Sequence, residues 1–201
     1  MKAAVVGNSP ILLKQNYGDI IDQHDCVIRF NLAKTENFEK FVGSKTTVRF
    51  CNQHPVMSNL SEKNYKEQKE TFPDFDRNAM LGWKNQLIIF KYCKNYLEGT
   101  DLEKLLLKNN NKIDFIEKND SNLNMLAQLT KTEPTMGLLG TVWAISRFRD
   151  VNCFGFGFGS SEDESYHYFE KHIPYKSCHN SNIEKNIFEI LESEGKINIY
   201  K

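Results

Sequence analysis

Short apolar runs alternate along this chain with longer polar or amphipathic stretches. Ala3-Ala4-Val5-Val6 ends in Gly7-Asn8-Ser9-Pro10, which reads as a buried strand (Lys2 to Val6) feeding a tight turn. The pattern predicts further strands over Asp25–Asn31, Thr46–Cys51, Gln86–Phe90, Ile113–Ile116 and Val151–Gly155, and a last one over Ile197–Tyr200. Residues 56–80 are polar without a clear period and read as loop and surface helix. Glu133-Pro134-Thr135-Met136-Gly137 opens an apolar helix running from Leu138 to Phe148, and Ile183 to Glu194 reads as a closing helix. Strands alternating with helices predict an α/β fold around a mostly parallel central sheet flanked by helices, in a single domain spanning 1–201.

In such sheets, ligands bind beyond the carboxyl ends of the strands. Gly7-Asn8-Ser9 follows the first predicted strand, Asn31 closes the second, and Gly155-Phe156-Gly157 follows the sixth. Gly7 lets a ligand approach the backbone, and Asn8 offers both donor and acceptor. Pro134 precedes a helix start at which Thr135 is a plausible N-cap, and a helix N-terminus attracts anions. Three of the five histidines, His167, His172 and His179, crowd one short stretch near the C-terminus, with Glu170 and Glu184 close by. Imidazoles in such a place suit proton transfer and phosphate contact.

Composition narrows the class. Lys+Arg and Asp+Glu number 26 each, giving zero net charge and no electrostatic footprint of a nucleic-acid binder. The chain has no apolar run of membrane-spanning length, and strand-like sequence begins almost at Met1. A cytoplasmic protein, or a soluble catalytic domain with any anchor removed, is the expectation; peripheral membrane contact stays open. Cys26, Cys51, Cys93, Cys153 and Cys178 form no C-x-x-C pair, so a zinc site is not expected. Their odd number suits a reducing compartment. The glycine fingerprint of dinucleotide enzymes is missing after the first strand. Asp74-Phe75-Asp76 is the tripeptide that binds a divalent metal in many nucleotide-sugar transferases; it lacks a buried strand before it, so a metal site is not expected there. Glu162-Asp163-Glu164 reads as a solvated loop.

Four segments together resemble the eukaryotic-type sialyltransferases, glycosyltransferase family 29. Val5-Val6-Gly7-Asn8-Ser9, the Gly-x-x-Ile-Asp of 18–22, Val27-x-Arg29-x-Asn31 and Val42-Gly43-Ser44-Lys45-Thr46-Thr47 are similar to the long sialylmotif. Residues 134–157 resemble the short sialylmotif, His167-Tyr168-Phe169-Glu170 the third motif, and His179 with Glu184 the very short one. The resemblance implies a variant GT-A fold and inverting, metal-independent transfer of sialic acid from CMP-sialic acid to a hydroxyl of a glycan acceptor such as a galactoside, with no cofactor. It implies that Asn8, Ser9 and Asn31 hold the phosphate and nucleotide side of CMP, and that Thr135, Met136, Gly137, Gly155, Phe156 and Gly157 hold cytidine and its phosphate. His167 would stabilise the leaving phosphate and His179 would be the general base. The family commonly pairs two cysteines at positions where this chain has Ala3 and Phe148. Another CMP-sugar such as CMP-Kdo, or a non-catalytic CMP-sugar-binding protein, are the alternatives.

Overall fold

The computed structural model describes residues 1–158, 167–170 and 179–200. Among them, seven strands form one sheet: β1 (Lys2–Val6), β2 (Cys26–Phe30), β3 (Val48–Cys51), β4 (Leu87–Lys91), β5 (Lys112–Ile116), β6 (Asp150–Phe154) and β7 (Asn198–Tyr200). The order is β5-β4-β3-β2-β1-β6-β7, and every neighbouring pair is parallel. The expected architecture is therefore observed. The central strands are largely apolar because both faces are covered, with Arg29 in β2 and Arg49 in β3 as buried exceptions. Strand order reverses direction at β1, between β2 and β6, which is where a doubly wound sheet opens its ligand crevice.

The helices are α1 (Gly18–Asp22), α2 (Glu39–Val42), α3 (Gln53–Leu60), α4 (Glu62–Thr71), α5 (Lys94–Leu97), α6 (Asp101–Lys108), α7 (Ser121–Thr130), α8 (Met136–Ile145) and α9 (Ser181–Ser193). Helix α8 crosses the centre of one face. Its glycine at position 140 lets the ring of Phe30 come close; a Cβ there would sit 2.5 Å from Phe30 Cε1. The core on that side joins Val5, Ile28, Phe50, Leu138, Leu139 and Phe188. A second cluster under β3 and β4 gathers Val56, Met80, Phe90 and Leu106, and a third packs Leu12, Ile21 and Val42 against Val6 and Phe154.

Several boundaries differ from the pattern. The second strand stops at Phe30 because Asn31 turns into the left-handed region, φ 48°. The third begins at Val48, since Thr46 and Thr47 direct their hydroxyls to Arg29 Nε (3.1 Å) and Val27 N (3.1 Å). Helix α8 starts earlier and ends earlier than Leu138–Phe148, with Ser146 as its C-cap. Residues 56–80 contain α4, which is a surface helix, but also the C-terminal part of α3, which buries Pro55, Val56 and Ser58. Helices α6 and α7 have no counterpart in the pattern reading. Cys26, Cys51, Cys93 and Cys153 are free, buried thiols, and burial pushes each thiol up, Cys26 to about 11. Cys178, His172 and Glu162-Asp163-Glu164 lie outside the described residues.

Much of the long-motif resemblance turns out to be scaffold. Asp22 accepts hydrogen bonds from Ser44 N (2.8 Å), Ser44 Oγ (2.8 Å) and Lys45 N (2.9 Å), fastening α1 to the turn after α2. Arg29, fully buried, donates to Val42 O at 2.6 Å and Lys45 O at 3.0 Å. Gly18 packs so tightly on α2 that a Cβ would stand 2.0 Å from Glu39 O. At Asp22, burial pushes the carboxyl pKa up, but the Ser44 and Lys45 hydrogen bonds and the Arg29 charge outweigh it, so the net value is lowered. A carboxyl lowered in the folded state stabilises above its unfolded value and loses that contribution as pH falls through the folded one. Asp22→Asn is therefore expected to lose about 1–2 kcal/mol at pH 7, the bond being partly exposed. Melting temperature should fall by roughly 3–6 °C there, and the gap to wild type should narrow as pH drops toward the carboxylate range. An equal gap across that range, measured by thermal melts, would contradict this.

Candidate active site

The carboxyl ends of β1, β2 and β6 meet at one place. Gly7 N donates to Phe154 O (2.7 Å), and Ser9 N donates to Gly155 O (3.2 Å), splicing the turn after β1 to the end of β6. Gly155 has φ +71°, and a Cβ on it would sit 2.5 Å from Leu12, so no other residue fits easily. Asn8 donates from Nδ2 to Phe30 O at 3.4 Å, while its Oδ1 is buried with no partner. An unsatisfied buried amide oxygen costs about 1–3 kcal/mol, which a ligand donor would recover. Ser9 caps the following 3₁₀ turn (Pro10–Lys14) by accepting from Ile11 N.

Asn31 is held from two sides. Its Oδ1 accepts from Asn52 N (3.0 Å), and its carbonyl accepts from Arg49 Nη1 (2.7 Å). Arg49 is buried against the Trp83 ring, 4.5 Å from its centroid. Burial, with Arg29 adding to it, lowers the Arg49 guanidinium to about 10, and it stays charged at neutral pH.

Across the crevice, Thr135 caps α8 by accepting from Leu138 N (3.0 Å). Glu184, buried in the first turn of α9, accepts from Thr135 N (2.7 Å) and from Thr135 Oγ1 (2.6 Å). Burial raises its pKa, opposed by the Thr135 hydrogen bonds and by His179 and Lys91, and the net direction is up. His179 Nδ1 lies 2.7 Å from Glu133 O. A carbonyl only accepts, so the proton sits on Nδ1 and the Nε2 lone pair is the basic one.

His167 lies in a turn docked on the same edge. Tyr168 N donates to Asn8 O (2.9 Å), and the Tyr168 hydroxyl donates to Lys34 O. His167 Nδ1 is 2.6 Å from Glu170 Oε2, and its ring stacks on Phe169 (5.1 Å) and Phe72 (6.3 Å). The structure thus gathers Asn8, Ser9, Asn31 and His167 around the ends of β1 and β2, and Thr135 and His179 around the start of α8.

Met136, Phe156 and Asp76 have their side chains engaged within the fold. Met136 is buried in the core, because the first turn of α8 points it inward, so its side chain does not face the crevice. Phe156 packs on Phe188 (4.7 Å) and against Gly137, where a Cβ would be 2.9 Å from its Cε1. Gly137 is thereby needed for helix-to-loop packing, and Gly157 follows in the same loop. Asp76 uses its carboxylate to cap the 3₁₀ turn Arg77–Gly82, accepting from Asn78 N (2.9 Å). Sequence reasoning missed Arg49, Lys91 and Glu133. The signal for Lys91 was a cation directly after the apolar run of β4, at the carboxyl edge where ligands bind.

A covered parallel sheet with asparagines, a helix N-terminus and imidazoles at one carboxyl edge defines a Rossmann-like protein of the GT-A kind. The model of glycosyltransferase family 29 (sialyltransferase) matches residues 1–196, and the chain belongs to that family. It is 30% identical over 214 residues to the CMP-N-acetylneuraminate-beta-galactosamide-alpha-2,3-sialyltransferase 1 of Gallus gallus, an alignment covering 100% of this chain and 58% of that one. The chain thus spans well under two thirds of that relative's length. A 54-residue stretch is 59% identical to a beta-1,6-galactosyltransferase of Arabidopsis thaliana, covering 27% of this chain and 14% of the other. Among solved structures, a mammalian sialyltransferase in complex with Gal-beta-1-3GalNAc-ortho-nitrophenol superposes with a TM-score of 0.65 at 26% identity, covering 100% of this chain and 69% of that one. Among the described residues, no helix is long and apolar enough to cross a membrane.

Proposed function

We propose that this chain transfers sialic acid from CMP-sialic acid to a hydroxyl of a galactoside acceptor, with inversion and without a metal. The observation that carries this is the 2.7 Å contact of His179 Nδ1 with Glu133 O; because that carbonyl can only accept, the neutral ring places its proton on Nδ1 and its lone pair on Nε2. In the reaction the acceptor oxygen gives its proton to Nε2 and bonds to the anomeric carbon. The bond from that carbon to the phosphate oxygen breaks, and CMP leaves with the electron pair. His167, held by Glu170, stabilises the charge on that phosphate when protonated, and the N-terminus of α8 adds its dipole. Such stabilisation replaces the role a divalent ion plays in other transferases. Asn8, with its unpartnered Oδ1, and Asn31 bind the nucleotide. Similarity to the Gallus gallus enzyme along the whole of this chain and the likeness to the neighbour solved with Gal-beta-1-3GalNAc-ortho-nitrophenol support donor and acceptor alike.

A second reading, galactosyl transfer from an activated galactose, is favoured by the strongly identical stretch shared with the Arabidopsis thaliana protein. It rests on about a quarter of the chain, so the full-length match outweighs it. One experiment separates them: donor screening with and without simple galactosides, in EDTA. CMP-sialic acid should be consumed and transferred in EDTA, and CMP affinity should fall roughly 10–100-fold in Asn8→Ala and in Asn31→Ala, the loss of hydrogen bonds to a charged group. Activity abolished by EDTA and restored by Mn²⁺ would sink metal independence and promote Asp74 and Asp76. Turnover of an activated galactose alone would select the second reading, and CMP binding without turnover would make this a sugar-nucleotide-binding protein.

A further inference from the structure

Lys91 ends β4 at the carboxyl edge of the sheet, with its side chain only 7% exposed. Its ammonium lies 2.8 Å from Glu133 Oε1, and the Glu133 side chain is 48% exposed. The pair is oriented: the cation is inside and the carboxylate faces outward. Glu133 is also the residue whose carbonyl fixes His179. The Lys91 contact limits the carboxylate's rotamers before any ligand arrives, and Tyr92 interacts with the same group. Burial raises the Glu133 carboxyl, but Lys91, His179 and Tyr92 outweigh it and hold it below the ordinary carboxylate range. Glu184, the next carboxylate, is buried and engaged by Thr135, so it presents nothing outward.

We propose that Glu133 reads the acceptor sugar, accepting a hydrogen bond from a hydroxyl beside the one His179 deprotonates and selecting neutral sugars over those that carry a carboxylate. This rests on the reading of His179 as the base, which places the acceptor next to Glu133. An ionised carboxylate anchored by a lysine keeps lone pairs for sugar hydroxyls, and charge-assisted bonds of this kind are the strong ones. A carboxylate on the incoming ring would meet a like charge, which is how a site rejects a wrong partner. Lys91 lies behind the carboxylate, so an anion on the incoming ring meets Glu133 first and the more distant cation offsets the repulsion only in part. Glu133 is thus a specificity residue, and Lys91 acts through it as a positioning residue.

The test reads sugar binding rather than turnover. Saturation-transfer NMR on the CMP-saturated protein compares methyl β-galactoside with the same ring oxidised to a carboxylate at C6. Wild type should bind the neutral sugar roughly tenfold or more tightly than the uronide. Glu133→Gln should weaken the neutral sugar by roughly tenfold and remove most of the preference. The double variant Lys91→Met/Glu133→Gln, which leaves no buried cation unpaired, should behave alike, with CMP affinity by calorimetry reporting an intact fold. Equal binding of the neutral sugar by wild type and Glu133→Gln overturns the proposal, as does a wild type that takes both sugars equally or neither. A chain that binds galactosides through Glu133 yet leaves CMP-sialic acid intact supports this assignment and overturns the proposed reaction. One that turns over CMP-sialic acid while its galactoside affinity ignores Glu133 does the reverse.

Discussion

Replacing His179 by alanine is expected to lower turnover by roughly 10²-fold or more while CMP still binds. Positioned general bases contribute on that order, and His179 is positioned by a backbone carbonyl rather than by a mobile side chain. Its tautomer therefore does not depend on a second titrating group. The side chains of Asn8 and Asn31 bond to Phe30 and Asn52, and the Asn31 carbonyl accepts from Arg49. His167→Ala should behave differently, weakening nucleotide binding and turnover together, if its imidazole donates to the phosphate both before and during bond cleavage as proposed. Steady-state rates and CMP calorimetry on both variants separate the two roles. A His179→Ala protein with near-normal turnover would remove the base assignment, and His172 would be tested next.

Glu184→Ala should be the most damaging single change to stability among the site residues. It strips two short hydrogen bonds from Thr135, at 2.7 and 2.6 Å, and parts α9 from the start of α8. Leaving those donors unsatisfied costs about 1–3 kcal/mol each, partly offset because a desolvated carboxyl is removed as well, for a net loss of about 2–3 kcal/mol. In a chain of this size that lowers the melting temperature by roughly 5–10 °C. The pH dependence has a definite sign. Burial raises the Glu184 carboxyl in the folded state. Its contribution is therefore complete below the unfolded glutamate value and declines as pH rises through the folded one. The gap between wild type and Glu184→Ala should be widest in acid and narrow toward neutrality, the opposite of Asp22→Asn. Glu184→Gln, which keeps one acceptor, should fall between. Melts across that pH range that show a widening gap toward neutrality would refute the account.

The strands were legible because both faces of the sheet are covered. Ala3–Val6 and Leu87–Phe90 are unbroken apolar runs that admit few other readings, and Val151–Phe154 is interrupted only by the buried Asn152. Thr135 was legible as a cap, since a hydroxyl residue after proline at a helix start has one common use. The charges inside the sheet were not. Arg49 and Lys91 sit among apolar residues and look like interruptions until the fold shows what they brace. Glu133 was illegible for another reason: it meets His179 across 46 residues of chain, and no local pattern encodes that pairing. For Met136 motif resemblance assigns a position and not a side-chain direction; the first turn of α8 carries that side chain into the core. Asp22 and Arg29 were legible as part of a matching segment, but their work is to hold α1, α2 and the start of β3 together.

His179 is anchored to Glu133, and Glu184 ties α9 to Thr135. Both ties end on residues two apart, Glu133 and Thr135, so a shift at the start of α8 carries His179 and α9 with it, and the spacing of the imidazole from that helix end is kept.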